Sequence, residues 1–72
     1  MDRVPYKMAQ IAVCSDFQRI KKLWQPVSIV RYFKSGTTTD QQIYSDKYFF
    51  PTFEEANTHA RKLAEQWVDN NL

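Results

Sequence analysis

The last third of the chain carries apolar residues three and four positions apart, which is the period of one face of an α-helix. Thr52 precedes this stretch and Glu55 follows three positions later, the spacing of a capping box. Glu54 and Glu55 also complement the positive end of the helix dipole. The pattern predicts a helix from about Phe53 to Asp69. Its apolar stripe consists of Phe53, Ala56, Ala60, Leu63, Ala64 and Trp67.

Upstream of this helix, apolar and β-branched residues concentrate in three runs, 6–14, 24–34 and 42–50. A polar stretch containing Gly36, the only glycine, separates the last two runs, so we expect a hairpin with an extended, solvated loop. The first run is predicted to add a third strand, because a two-stranded sheet is marginal in water. Apolar residues occupy both faces of the hairpin, so the pattern leaves open which face is inward.

The segment between the first two strands admits two interpretations. Ser15 and Gln18 have capping-box spacing, and Phe17 and Ile20 recur at helical spacing, which indicates a short helix of two turns at most. An isolated helix of this length is weak without tertiary support, which favours a loop or a brief helical turn.

These elements together predict a single α+β domain over residues 1–72. We expect a three-stranded antiparallel meander with the C-terminal helix packed across one face, and a short helix or loop between strands one and two. A chain of 72 residues has a small stability margin, and its 15% aromatic content can supply a dense core. The same rings also suit an interface, where aromatic residues are enriched.

The residues with catalytic potential do not form a constellation. His59 is the only histidine, and we expect it to be a boundary residue with one nitrogen in solvent, four positions from Glu55. Cys14 is the only cysteine, which excludes an internal disulfide and a cysteine-based zinc site. A small thiol-dependent enzyme using Cys14 remains the least favoured option. We therefore predict a protein that is not an enzyme and that uses no cofactor and no metal.

The absence of disulfides in so small a domain favours a reducing, cytoplasmic setting. The N-terminal residues contain no apolar run typical of a signal peptide, and no stretch is long enough to span a membrane. We expect a cytoplasmic protein without a membrane partner.

Charge is distributed unevenly along the chain. Residues 1–36 hold seven basic and two acidic residues, whereas residues 37–72 hold three basic and six acidic residues. Such asymmetry can mark a basic face, although the two halves can also offset each other in the folded domain. Asp40 and Asp46 on the hairpin would repel phosphates. The candidate binding residues for a protein partner or nucleic acid are Arg19, Lys21, Lys22, Trp24, Arg31, Tyr32, Lys34, Tyr44 and Lys47.

A single helix covers one face of the predicted sheet. The other face is expected to carry several of Ile29, Phe33, Tyr44, Tyr48 and Phe49, and an exposed apolar patch of this kind usually marks an interface. The leading hypothesis is a non-enzymatic interaction module, bacterial or phage in style, that binds a partner protein or itself as a homodimer through the sheet face. The alternative is a nucleic-acid-binding accessory protein that uses the basic N-terminal half.

The stretch YFFPTFEEANTHARKLAEQWVD resembles the step from strand to helix in small uncharacterised bacterial β-β-β-α domains. The matching positions are Phe50, Thr52, Glu54, Glu55, Ala56, Ala60 and Trp67. The step is also similar to that of the arm-binding domain of tyrosine recombinases, in which a three-stranded sheet enters the DNA groove. The first resemblance, over roughly the last fifty residues, implies a fold without an activity. The second implies DNA contacts from Arg31, Lys34 and Lys47.

Overall fold

Two antiparallel sheets and one helix make up residues 3–72, the part of the chain that the computed structural model describes. The elements are β1 (Val4–Tyr6), β2 (Ala9–Val13), β3 (Asp16–Gln18), β4 (Leu23–Gln25), β5 (Val27–Lys34), β6 (Thr37–Tyr44) and α1 (Phe53–Asn71). Strands β1, β2, β5 and β6 form one sheet in that order, and β3 pairs with β4 in a separate hairpin. The α+β class is confirmed, and the predicted three-stranded meander is coarser than the six strands found.

The hairpin of β5 and β6 is much tighter than predicted. Ser35 and Gly36 both have positive φ angles, 54° and 77°, which is the geometry of a two-residue type I′ turn. The threonines that were expected in a solvated loop therefore belong to β6. The last strand consequently spans Thr37–Tyr44 instead of residues 42–50.

The first predicted run contains a turn of its own. Lys7 has a φ of 52°, and the chain reverses there so that β1 pairs antiparallel with β2. The strand predicted over residues 6–14 is therefore β2 alone, and β1 is an additional edge strand that contains Pro5.

The helix or loop predicted between the first two strands was wrong, because this segment is the β3–β4 hairpin. Gln18 pairs with Leu23, and the Gln18 side chain donates a hydrogen bond to the Gln25 side chain at 2.9 Å. Ser15 does not cap a helix. It is buried, and its backbone N–H donates to Asn57 Oδ1 at 3.3 Å.

The predicted helix start is confirmed by a hydrogen bond from the Glu55 backbone N–H to Thr52 Oγ1 at 3.2 Å. The helix continues two residues beyond the predicted end, to Asn71. Its buried face consists of Ala56, Ala60, Ala64 and Val68, and the C-terminal part of this face packs on Ala9, Ile11 and Val30. Three small residues let the helix backbone lie close to the sheet, so a core with few bulky aliphatic side chains still excludes water.

Aromatic pairs close the two ends of the helix–sheet contact. At the N-terminal end the ring of Phe53 lies 5.0 Å from the ring of Trp24 on β4. At the C-terminal end the ring of Trp67 lies 5.5 Å from that of Tyr32 on β5. The β3–β4 hairpin is thereby attached near the start of α1.

Candidate functional site

The strand register shows which side chains share each face of the four-stranded sheet. Ile11 is opposite Val30, and both are buried under the helix, whereas Ala12 is opposite Ile29 one position further along. Successive side chains of a strand point to opposite faces, so Ala12 and Ile29 lie on the face away from α1. Within residues 3–72, no helix or strand packs over this second face as α1 does over the first.

We call this second face the open face. Its apolar side chains are Ala12, Cys14, Val27, Ile29, Phe33 and Tyr44. Ala12 and Val27 are buried, and Cys14 and Ile29 are half-buried. By contrast, Phe33 is 70% exposed and Tyr44 is 59% exposed. Two large exposed rings therefore lie on the face that α1 leaves uncovered.

An ion pair occupies the middle of the open face, between the rows of Ile29 and Phe33. Arg31 Nε lies 2.8 Å from Asp40 Oδ1, and Arg31 Nη2 lies 3.0 Å from Asp40 Oδ2, which is a bidentate arrangement. The hydrogen bonds from Arg31 lower the pKa of Asp40, and Asp40 in turn raises the pKa of Arg31. Both groups therefore stay ionised around neutral pH, and their charges cancel locally.

A groove of about 420 Å³ adjoins the exposed ring of Phe33. Pro5, Gln10, Arg31 and Thr38 line part of it. It extends the open face towards β1, and it places a concave, partly polar surface beside an exposed aromatic ring.

Cys14 lies on the open face at the end of β2, where its backbone N–H donates to the Val27 carbonyl at 2.8 Å. Partial burial, with a smaller contribution from Asp16, raises the pKa of its thiol. A nucleophilic cysteine needs a lowered pKa, so the surroundings of Cys14 oppose thiolate chemistry.

His59 projects from α1 between the rings of Tyr48 and Phe50, whose centroids lie 5.5 Å and 5.2 Å from its own. Its Nε2 is buried and has no hydrogen-bond partner among residues 3–72. Over the same residues, no group of three or more His, Cys, Asp or Glu side chains is placed to hold a metal ion.

The structure separates the basic and aromatic residues predicted to form one binding surface. Arg19, Lys21 and Lys22 lie together at the turn of the β3–β4 hairpin, beside Ile20, which is 98% exposed. The Lys21 ammonium also lies 3.9 Å from the centroid of the Phe49 ring.

The other predicted residues lie at different places. Arg31 and Tyr44 are on the open face, whereas the register puts Tyr32 and Lys34 on the helix side of β5. Trp24 is half-buried between Phe17 and Phe53, and Lys47 lies in the connection after β6.

Ile29, Phe33 and Tyr44 were among the residues expected on the uncovered face, and the feature that the sequence reasoning missed is the Arg31–Asp40 pair. The signal that would have found this pair is a two-residue turn at Ser35-Gly36 without the extended loop expected after it. Such a turn sets the register of β5 against β6 and puts Arg31 directly opposite Asp40.

Comparison with known proteins adds no relative from which a function could be transferred. No protein-family model matches the chain, and no curated protein or solved structure matches it. Among the described helical residues, no segment is both long enough and apolar enough to cross a membrane. The fold therefore defines a class, a small α+β domain with one open sheet face.

Proposed function

We propose that this chain is a non-enzymatic interaction module that binds another protein through the open face of its sheet. The observation that carries the proposal is the exposure of Phe33 and Tyr44 on the face that α1 leaves uncovered. Aromatic residues dominate the energetics of protein interfaces because they bury a large area at a low cost in side-chain entropy.

The charge state of the open face favours a protein over a nucleic acid as its ligand. Phosphate binding requires cations that can replace condensed counterions, and the Arg31 guanidinium is already engaged by Asp40. The pair therefore adds no net charge to the open face, and it puts a planar polar group between apolar rows. A partner surface with apolar side chains and a few hydrogen-bonding groups complements such a face.

The two exposed tyrosines provide a matched test. Tyr44 on the open face and Tyr48 beside His59 are each 59% exposed, so removing either ring takes away similar exposed area. We expect Phe33→Ala and Tyr44→Ala to weaken partner binding by about tenfold or more, the effect of truncating an interface anchor. Tyr48→Ala should bind as the wild type does.

The experiment begins by isolating a partner with the wild-type chain and measuring its affinity by calorimetry. The three variants are then titrated with the same partner, after circular dichroism has shown that each is folded. Equal losses for Tyr44→Ala and Tyr48→Ala would contradict the proposal, as would unchanged affinity for Phe33→Ala.

Cys14 offers a second readout, since its thiol lies on the same face. We expect a bound partner to slow alkylation of Cys14 in the wild type but not in the Phe33→Ala/Tyr44→Ala double variant. A rate unaffected by saturating partner in the wild type would place the interface elsewhere.

A second candidate function is nucleic-acid binding, favoured by the cluster of Arg19, Lys21 and Lys22 at the hairpin turn. A two-stranded β-ribbon with a basic tip has the dimensions to enter the major groove. Retention on immobilised DNA should fall with rising salt, and Arg19→Glu/Lys21→Glu should abolish it. Arg61→Glu/Lys62→Glu on the exposed side of α1 makes the same charge change as a control. A wild-type chain that is not retained at low salt would dispose of this candidate.

A further inference from the structure

Strand β6 forms one edge of the four-stranded sheet, and its backbone groups alternate between the sheet and the edge. The Ser45 backbone N–H donates to the Pro26 carbonyl at 3.2 Å, which continues the β5–β6 register with odd-numbered residues turned inward. In an antiparallel ladder the alternate, even-numbered residues of β6 turn their N–H and C=O groups outward, away from β5. Thr38, Asp40 and Gln42 therefore present backbone donors and acceptors at the edge.

The two edges of this sheet are protected unequally. The edge strand β1 has three residues, and Pro5 in its centre has no N–H to offer. Strand β6 has eight residues and no proline. Its single charged residue, Asp40, is neutralised by Arg31 of the neighbouring strand. A long edge strand that contains no proline and carries no net charge can accept another strand.

One side chain already occupies part of this edge. Gln41 Nε2 donates to the Gln42 carbonyl at 3.2 Å, so the outward acceptor is satisfied by a flexible neighbour in the same strand. A backbone N–H from an added strand can replace this bond and form a ladder with several such bonds. Among residues 3–72 no other strand pairs with this edge.

We propose that the strand added to this edge is β6 of a second copy of the chain, antiparallel and related by a two-fold axis. Outward-turned residues must face outward-turned residues, which limits the registers. Two of the allowed registers pair seven residues of one β6 strand with seven of the other. One puts Asp40 opposite Asp40, where like charges repel, and the other puts Gln41 opposite Gln41.

The register centred on Gln41 is the favourable one. It places Asp40 opposite Gln42 of the second copy and Thr38 opposite Tyr44 of the second copy. The Gln42 amide can then donate a hydrogen bond to the Asp40 carboxylate. At the axis two glutamine side chains meet, and primary amides can donate to and accept from each other. The Gln41 side chain is exposed, so its rotation towards the second copy meets no core residue.

This assembly goes beyond the proposed function and stands without it. A two-fold axis perpendicular to the sheet joins both sheets into one and puts both helices on the same side. The two open faces then form one surface, in which Tyr44 of each copy lies beside Thr38 of the other.

The first test uses charge at the two-fold position. Light scattering should give the wild type about twice the monomer mass of 8.6 kDa across micromolar to millimolar concentrations. Gln41→Lys and Gln41→Glu should each be monomeric at the same concentrations, because like charges meet at the axis. An equimolar mixture of the two should regain the doubled mass. Gln66→Lys and Gln66→Glu, on the exposed side of α1, serve as controls and should leave the wild-type mass unchanged.

The second test reads the register directly. The two copies of residue 41 form a non-hydrogen-bonded cross-strand pair. In an antiparallel ladder the Cα atoms of such a pair are about 4.5 Å apart, which is within the range of a disulfide. In a Cys14→Ala background, mild oxidation should link Gln41→Cys into a covalent dimer. Thr39→Cys and Ile43→Cys should not link on their own, because in this register residue 39 faces residue 43. Mixing these last two variants should restore cross-linking.

A wild-type chain of monomer mass throughout the concentration range would overturn the inference. Dimeric Gln41→Lys, or cross-linking of Thr39→Cys equal to that of Gln41→Cys, would overturn it as well. Phe33→Ala distinguishes the two proposals, because Phe33 lies on β5 and takes no part in the β6 edge. If the open face binds a different protein, this variant loses that partner and keeps the doubled mass.

Discussion

Tyr6 and Asp69 join the edge of the sheet to the last turn of the helix, with Tyr6 Oη 3.1 Å from both carboxylate oxygens of Asp69. Lys7 Nζ forms a salt bridge with the same carboxylate. An acidic side chain near the C-terminal end of a helix meets the negative end of the dipole, and the cation from the β1–β2 turn offsets that repulsion. Residues from the two ends of the chain thus hold each other in place.

This contact predicts how the free energy of unfolding depends on pH in the acidic range. The hydrogen bond from Lys7, with a further one from Tyr6, lowers the pKa of Asp69 below its ordinary value of 3.8 despite partial desolvation. A lowered folded-state pKa adds stability that is present above the unfolded-state value and is lost as the pH falls through the folded-state value. Urea unfolding in a pH series should show this loss below about pH 4 for the wild type.

The matched variant is Asp69→Asn, which should unfold with a weaker dependence on pH in the same acidic range. Asp40→Asn should show a second, separate reduction, because Arg31 lowers the pKa of Asp40 too. A pH profile of Asp69→Asn that superimposes on the wild-type profile would show that the Asp69 contact adds nothing in solution. Added salt should shrink the difference, since both carboxylates are exposed.

Lys7, the basic residue of the Asp69 contact, affects stability at the alkaline end of the pH scale. Asp69 raises the pKa of Lys7 above 10.5, with the hydrogen bond as the main cause. A raised folded-state pKa adds stability that is fully present below the unfolded-state value and is lost as the pH rises through the folded-state value. Lys7→Met should therefore lose stability at neutral pH and show less further loss in strong alkali.

Thr52→Ala should destabilise the chain by about 1 kcal/mol, because the Glu55 backbone N–H loses its acceptor at the start of the helix. Thr58→Ala is the matched control. Its hydroxyl donates within the helix to the Glu54 carbonyl, and alanine is the better helix former, so stability should hold or rise slightly. Chemical denaturation measures both. Equal losses for the two threonines would show that the cap has no special role.

Ala60→Leu should cost about 1–3 kcal/mol, since the side chain is completely buried in the helix–sheet contact and added methylene groups must displace the sheet. Lys62→Leu puts the same leucine on an exposed position of the helix and should change stability by no more than about 0.5 kcal/mol. Thermal unfolding of both variants tests this. If Ala60→Leu were neutral, the helix would have room to retreat from the sheet.

Gly36→Ala should destabilise the β5–β6 hairpin by about 1 kcal/mol, because the turn requires a positive φ that a Cβ disfavours. Space is not the cause, since a Cβ built at Gly36 meets nothing within 4 Å. Ser35→Asn should act in the opposite direction, since asparagine tolerates positive φ better than serine does. Opposite signs in urea unfolding would confirm the type I′ turn, and two losses would contradict it.

Helical periodicity and the cap were sufficient to predict α1 from its first residue to within two residues of its end. Both signals depend on residues that are neighbours along the chain, because the interactions behind them join residues within one or two helical turns. The aromatic and β-branched runs likewise predicted the α+β class and the positions of β2 and β5, whereas the run 42–50 overlaps β6 only at its last three residues. The candidate surface was predicted only in part, because Tyr44 and Arg31 were expected to matter but their common face was not known.

The errors have a shared origin in pairing. The hairpin of β3 and β4 has a helix-like spacing of apolar residues. Its Trp24 makes edge-to-face contacts with Phe17 and Phe53, so three different elements meet there. Local propensity is a weak prior when contacts of this size compete with it.

The sequence by itself determined the helix, its cap and the apolar stripe that must be buried, because these follow from the order of neighbouring residues. Tertiary structure decided which face of the sheet receives that stripe and that β6 is left as a free edge. The physical reason is that strand register and layer packing depend on contacts between residues far apart in the chain. A one-residue change in register exchanges the two faces of a strand.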